Sequence, residues 1–182
     1  QPTKHKFNYF RAVLYWVKIL EEEPVFREDG VQTTTGEMKP VYVDSEDLKY
    51  TLISLLSSSL FFVHYIAWSS CQVINSRDFE LPFDFNSLNS ELKSLLVKHG
   101  KRLQKDLQEN SIVQVRNYSA RGRSFTMEKQ YFYIKKSKPI IDEIDTVLAE
   151  HYGFTAEELD FIINYDIKYR MGKELENGEE EE

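Results

Sequence analysis

Sulfur chemistry is nearly absent from this sequence: one cysteine, Cys71, stands in 182 residues. A lone thiol excludes an internal disulfide framework and a cysteine-based zinc cluster, and it fits a reducing, cytoplasmic setting. The four histidines, His5, His64, His99 and His151, lie far apart without metal-ligand spacing and read as core-edge or surface side chains. Glycine is scarce at seven and proline at five. No phosphate-binding loop of the G-x-x-x-x-G-K-[ST] or G-x-G-x-x-G kind is spelled out. The nucleophile elbow G-x-S-x-G and the zinc helix H-E-x-x-H are missing too. Asp142, Glu143 and Asp145 fall in the first turns of an expected helix, where acids suit the dipole without any catalytic role. Neither catalytic residues nor a metal or cofactor site are therefore expected in this chain. The N-terminus carries no secretory pattern and begins at Gln1 rather than Met, so the chain reads as a piece of a longer protein. Leu52 to Trp68 lacks Asp, Glu, Lys and Arg, but it is only 17 residues long and includes Ser54, Ser57, Ser58, Ser59 and His64. A spanning helix needs about 20 apolar residues, so a buried core helix is expected there and no membrane partner.

Hydrophobic residues make up 41% of the chain and aromatics 14%, enough to build a packed core. The net charge of −7 conceals a strong asymmetry. Gly172 to Glu182 holds six Glu and one Lys, and reads as an acidic, disordered tail. Residues 93–138 hold 12 Lys or Arg against Asp106, Glu109 and Glu128, a local excess of +9. Such a zone is the footprint of a surface for a polyanion. It equally fits a solvated helix face followed by a basic loop, or a scaffold that meets an acidic protein.

Periodicity predicts an α+β fold: a mainly helical body, a small antiparallel sheet or hairpin, and a helical C-terminus. Residues 7–20 suit a strand or a short helix, and residues 21–45 suit loops with short extended pieces such as Val41-Tyr42-Val43. Asp44 or Ser45 caps a helix running to about Ser69, in which Ser57-Ser58-Ser59 would let another backbone approach. A second helix, about Ser87 to Glu109, is amphipathic, with Gly100 as a candidate interruption. Ile112 to Ile134 switches to strand period around Ser119-Ala120-Arg121-Gly122-Arg123-Ser124, a hairpin with a basic tip. Ser137, Pro139 and Gly153 bound one closing helix. Thr155 and Glu158 form the capping box of another that ends near Gly172. Residues 1–171 thus form one domain closed by a helical pair over 138–171, with 172–182 as the tail.

The chemistry-bearing residues are basic. Arg121 and Arg123 on the tight turn are candidates for base or groove contact, because guanidinium reads guanine edges bidentately and also clamps phosphate. Lys101, Arg102 and Lys105 on the amphipathic helix, with Lys135, Lys136 and Lys138 at a helix entry, are candidates for phosphate contact. Arg116, Tyr118 and Lys129 on the hairpin strands complete the expected nucleic-acid-binding set.

Three stretches also carry a resemblance. The first is Ser57-Ser58-Ser59-Leu60-Phe61-Phe62, followed by Ser70-Cys71-Gln72 and Ile74-Asn75. The second is Phe79-Glu80-Leu81-Pro82-Phe83. The third runs from Ser137-Lys138-Pro139-Ile140-Ile141-Asp142-Glu143 through His151-Tyr152-Gly153-Phe154-Thr155 to Asn164-Tyr165-Asp166-Ile167-Lys168-Tyr169-Arg170-Met171-Gly172. Together they resemble the C-terminal, target-recognition half of type II/IIG restriction–modification adenine-specific DNA methyltransferases, over most of residues 48–172. The resemblance implies a double-stranded DNA partner and an S-adenosylmethionine-dependent catalytic domain, in the same polypeptide or a separate chain. The catalytic motif of that family, N-P-P followed by an aromatic residue, is absent, since no Asn here precedes a Pro. The resemblance therefore implies a part that reads and holds DNA while the parent enzyme flips an adenine and methylates its N6.

Overall fold

Between His5 and Val43 the aromatic and β-branched residues settle into strands rather than helix. The computed structural model describes residues 5–80, 82–120 and 122–172; Arg121 and the acidic tail beyond Gly172 lie outside the described residues. β1 (His5–Phe10) pairs antiparallel with β2 (Ile19–Leu20) and with β5 (Met38–Val43), giving the order β2-β1-β5. Because β1 is central, Phe7 and Tyr9 on one face and Asn8 on the other are all buried. Pro40 sits on the edge strand β5, where a missing N–H is tolerated.

Ser45 caps α1 (Glu46–Ser57), its Oγ accepting from Leu48 N at 3.1 Å. The expected continuous helix to Ser69 is broken at Ser58, and α2 (Ser59–Trp68) leaves at a bend of 64°. Two effects cause the break. The Ser58 hydroxyl donates to Leu55 O at 2.6 Å and accepts from Phe61 N at 3.0 Å, so it ends one helix and caps the next. The carboxylate of Asp145 meanwhile accepts from Ser59 N at 3.2 Å and Leu60 N at 3.1 Å, satisfying donors that a helix start leaves orphaned. No single helix among the described residues is long and apolar enough to cross a membrane; only the bent pair α1 and α2 passes on length and composition, and its residues are largely core.

Two 3-10 turns, Ser76–Phe79 and Phe85–Ser87, lead to α3 (Ser90–Glu109), which Asn89 caps through Leu92 N at 2.8 Å. Gly100 does not interrupt α3. It is the point where α3 lies against α1: a Cβ there would stand 2.5 Å from Tyr50 O and 2.9 Å from Ser54 Oγ. Close backbone approach therefore occurs at Tyr50 and Ser54. Ser54 seals the seam by donating to Leu96 O at 2.7 Å.

A 3-10 turn at Ile134–Ser137 enters α4 (Lys138–Tyr152), which ends on Gly153 in the left-handed conformation, φ 71°. Ser137 holds the cap position without a capping bond; its hydroxyl instead reaches Asp106 Oδ2 at 2.6 Å. The Thr155–Glu158 capping box opens α5 (Ala156–Asn164) as expected. The chain then turns through Asp166, φ 52°, into α6 (Ile167–Met171), so three helices stand where a pair was expected. That turn sends Arg170 inward, where it donates to Ser59 Oγ at 3.1 Å and covers the Trp16 ring at 4.2 Å. One core joins α3, α4 and Leu55 of α1; the other joins β1, α1 and α2. Gln104 links the first sheet to α3, donating to Ile19 O at 3.1 Å and accepting from Glu21 N at 2.7 Å.

Candidate nucleic-acid interface

The expected hairpin is present. β6 (Ser111–Ala120) and β7 (Arg123–Phe132) pair in unbroken register from Ser111 opposite Phe132 to Ala120 opposite Arg123. Gly122, φ 74°, supplies the turn. The hairpin is joined by β3 (Phe26–Glu28) and β4 (Val31–Gln32), giving the order β4-β3-β7-β6. Asp29 and Gly30 connect these short strands with φ of 48° and 80°, as a two-residue primed turn requires. The sequence reads 21–45 as loops with short extended pieces; the Asp-Gly pair between Phe26-Arg27-Glu28 and Val31-Gln32 is the signal for this hairpin.

Register decides what this sheet can do. Directly opposed residues share a face, so Gln114, Arg116 and Tyr118 of β6 lie on the same face as Lys129, Met127, Phe125 and Arg123 of β7, and as Phe26 and Glu28 of β3. Four sequence-predicted residues, Arg116, Tyr118, Arg123 and Lys129, are therefore brought together. Tyr118 and Phe125 stack across the strands at 5.8 Å, and the Lys129 ammonium stands 5.5 Å from the rings of both Phe26 and Tyr118. Arg116 donates to Gln114 Oε1 at 2.8 Å and has no carboxylate partner among the described residues. Phe26, Tyr118 and Phe125 belong to neither core and are partly exposed, while Met127 between them is buried. Most of β6 is exposed, and it is a free sheet edge.

Arg123 is differently placed. Its guanidinium pairs with Glu28 and, at 3.0 Å, with Asp29 Oδ2. The Thr126 N–H, 2.8 Å from Asp29 Oδ1, holds that carboxyl below its ordinary range, and Arg123 adds to the effect. Arg123 thus ties the hairpin to the β3–β4 turn, and any anion must compete with two carboxylates.

The helical cations form a separate group. Arg102, Lys105 and Lys136 line a cavity of about 290 Å³ with Asp106 and Glu109, and no hairpin residue lines it. Arg102 pairs with Glu143 at 2.5 Å, Lys105 with Glu109 at 3.7 Å and Lys101 with Glu46 at 3.3 Å. Lys136 stands 5.6 Å from the Tyr133 ring, and Lys135 lines a different cleft. Lys138, expected at the surface, is buried and paired with Asp142, because the first turn of α4 packs onto the body; it is not available to phosphate.

Among the described residues no group of His, Cys, Asp and Glu could hold a metal ion. Gly30 and Gly122 serve hairpin turns, and Gly153 and Gly172 end helices. None of these four forms the glycine-rich strand-to-helix turn of a dinucleotide-binding fold. No family model, no curated protein and no solved structure matches this chain.

Proposed function

We propose that this chain is the DNA-recognition part of an adenine-specific N6 DNA methyltransferase, which positions duplex DNA for a catalytic domain that binds S-adenosylmethionine. The observation that carries the reading is the aromatic face of the β6–β7 hairpin, where Arg116 and Lys129 stand among Tyr118, Phe125 and Phe26 around a buried Met127. Beyond the last β3 pairing, at Met127, the hairpin tip is a two-stranded ribbon, narrow enough for the major groove. Arg116, without a carboxylate partner among the described residues, is the group best suited to a base edge or phosphate. Lys129, held over two rings, adds charge and has no carboxylate partner among the described residues. The methyl-transfer chemistry belongs to the catalytic domain, in the same polypeptide or another chain.

The competing reading is a protein-interaction scaffold. It is favoured by the pairing of Lys101, Arg102, Lys105 and Arg123 with carboxylates and by Val113 and Val115, exposed on the hairpin's other face. Hydrogen exchange with and without a mixed-sequence duplex separates the two. Slowed exchange over residues 112–131 supports the DNA reading. Unchanged exchange there contradicts it and leaves the scaffold.

A further inference from the structure

The segment between β1 and β2 faces α6 and the link from β7 to α4 across a cleft of about 420 Å³. That volume suits a small ligand. Tyr15 and Tyr169 stack in its wall with centroids 6.0 Å apart and planes within 15°, yet they are 45% and 60% exposed. Trp16 forms a fixed floor: its indole N–H donates to Arg170 O at 3.0 Å, and the Arg170 guanidinium covers its ring.

Lys18 lines the same cleft, and among the described residues no Asp or Glu does. Its ammonium lies 4.6 Å from the Phe10 ring and 5.9 Å from the Phe132 ring, with no carboxylate partner among the described residues. Burial pulls its pKa below the ordinary lysine value. A cation held only by rings lacks a full counter-charge. Arg170, by contrast, is already committed to Ser59.

We propose that this cleft binds a planar aromatic anion of the nucleoside monophosphate class, with its ring against Tyr15 and Tyr169 and its phosphate on Lys18. The phosphate supplies the missing counter-charge, and the base covers tyrosine surface left in water. None of Arg116, Tyr118 and Lys129 lines the cleft, so the inference stands apart from the DNA reading.

The chain has two tryptophans, Trp16 and Trp68, and Trp68 does not line the cleft. Trp68→Phe therefore leaves Trp16 as the reporter for a titration with AMP, with calorimetry as a second readout. Saturable binding with Kd below about 1 mM is expected, with adenosine and inorganic phosphate each about tenfold weaker or worse. Lys18→Met keeps the apolar stem and should weaken AMP, but not adenosine, by about tenfold. Tyr169→Ser, at an exposed position, should weaken both AMP and adenosine. Arg116→Ala/Lys129→Ala should change neither. A 5′-phosphorylated trinucleotide binding about tenfold tighter than AMP would assign the site to a strand end, and equal or weaker binding to a free nucleotide. Absence of AMP binding by both readouts, or AMP affinity unchanged in a folded Lys18→Met variant, would overturn the proposal.

Discussion

Replacing Gly100 by alanine should destabilise the fold, against the usual rule. In an exposed helix interior, glycine to alanine gains about 1 kcal/mol. Here the new Cβ would lie 2.5 Å from Tyr50 O and 2.9 Å from Ser54 Oγ. Ser54 can rotate, but Tyr50 O is backbone within α1. A carbon–oxygen contact relaxes near about 3.4 Å, so α1 and α3 must part by roughly 0.9 Å. A gap of that size forfeits about a quarter to a half of each dispersion contact along the seam, and it strains the Ser54–Leu96 hydrogen bond, worth about 1 kcal/mol. Overpacking of this kind costs about 1–3 kcal/mol. With the strained hydrogen bond added and the propensity gain of about 1 kcal/mol subtracted, the expected net loss is about 1–3 kcal/mol. Urea unfolding followed by circular dichroism reads it as a lower midpoint at unchanged slope. A Gly100→Ala variant as stable as the parent, or more so, would refute the close contact between α1 and α3.

Two further variants probe other elements. Asp145→Ala at pH 7.5 should lose about 1–3 kcal/mol, since it strands Ser59 N and Leu60 N while relieving a buried charge; a loss below about 1 kcal/mol would show that the α1–α2 break does not depend on it. Burial pushes the Asp145 carboxyl up from 3.8 to about 6, outweighing the bonds from Ser59 and Leu60. Its folded state therefore holds a proton that the unfolded chain releases, and the resulting stability, about 3 kcal/mol, is complete below pH 3.8 and lost as pH rises through 6. Asp145→Asn should flatten that slope in unfolding curves taken between pH 4 and 7, and an unchanged slope would place the titration elsewhere. At the hairpin, Glu28→Gln/Asp29→Asn should raise DNA affinity at low salt by freeing Arg123, read by fluorescence anisotropy; weaker binding would mean that those carboxylates position the hairpin for its partner.

Features written into adjacent residues were legible in the sequence. The Thr155–Glu158 capping box, the Gly153 helix end, the Ser45 cap and the Gly122 turn each need only a few neighbours. Features set by distant partners were not. The break at Ser58 depends on Asp145, 86 residues beyond Ser59. Lys138 sits beside Lys135 and Lys136 and reads as a third surface cation, until α4 packs and buries it against Asp142. Arg123 reads as a free guanidinium, because Glu28 and Asp29 lie more than 90 residues away. β3 and β4, three and two residues long, are too short to show alternation, and the Asp29-Gly30 turn is their one mark in the sequence. The grouping of Arg116, Tyr118 and Lys129 follows from strand period once the register is known, and that part of the candidate interface was present in the sequence.

The central claim is that the aromatic hairpin face carrying Arg116 and Lys129 holds duplex DNA. It is tested most directly by fluorescence anisotropy of this chain with a mixed-sequence duplex at 50 and 200 mM salt, beside Arg116→Ala/Lys129→Ala. The account predicts binding that weakens steeply with salt and a shallower salt slope in the double variant, lower by about 2 for two lost phosphate contacts. Binding absent at 50 mM salt, or unchanged in the double variant, would contradict it.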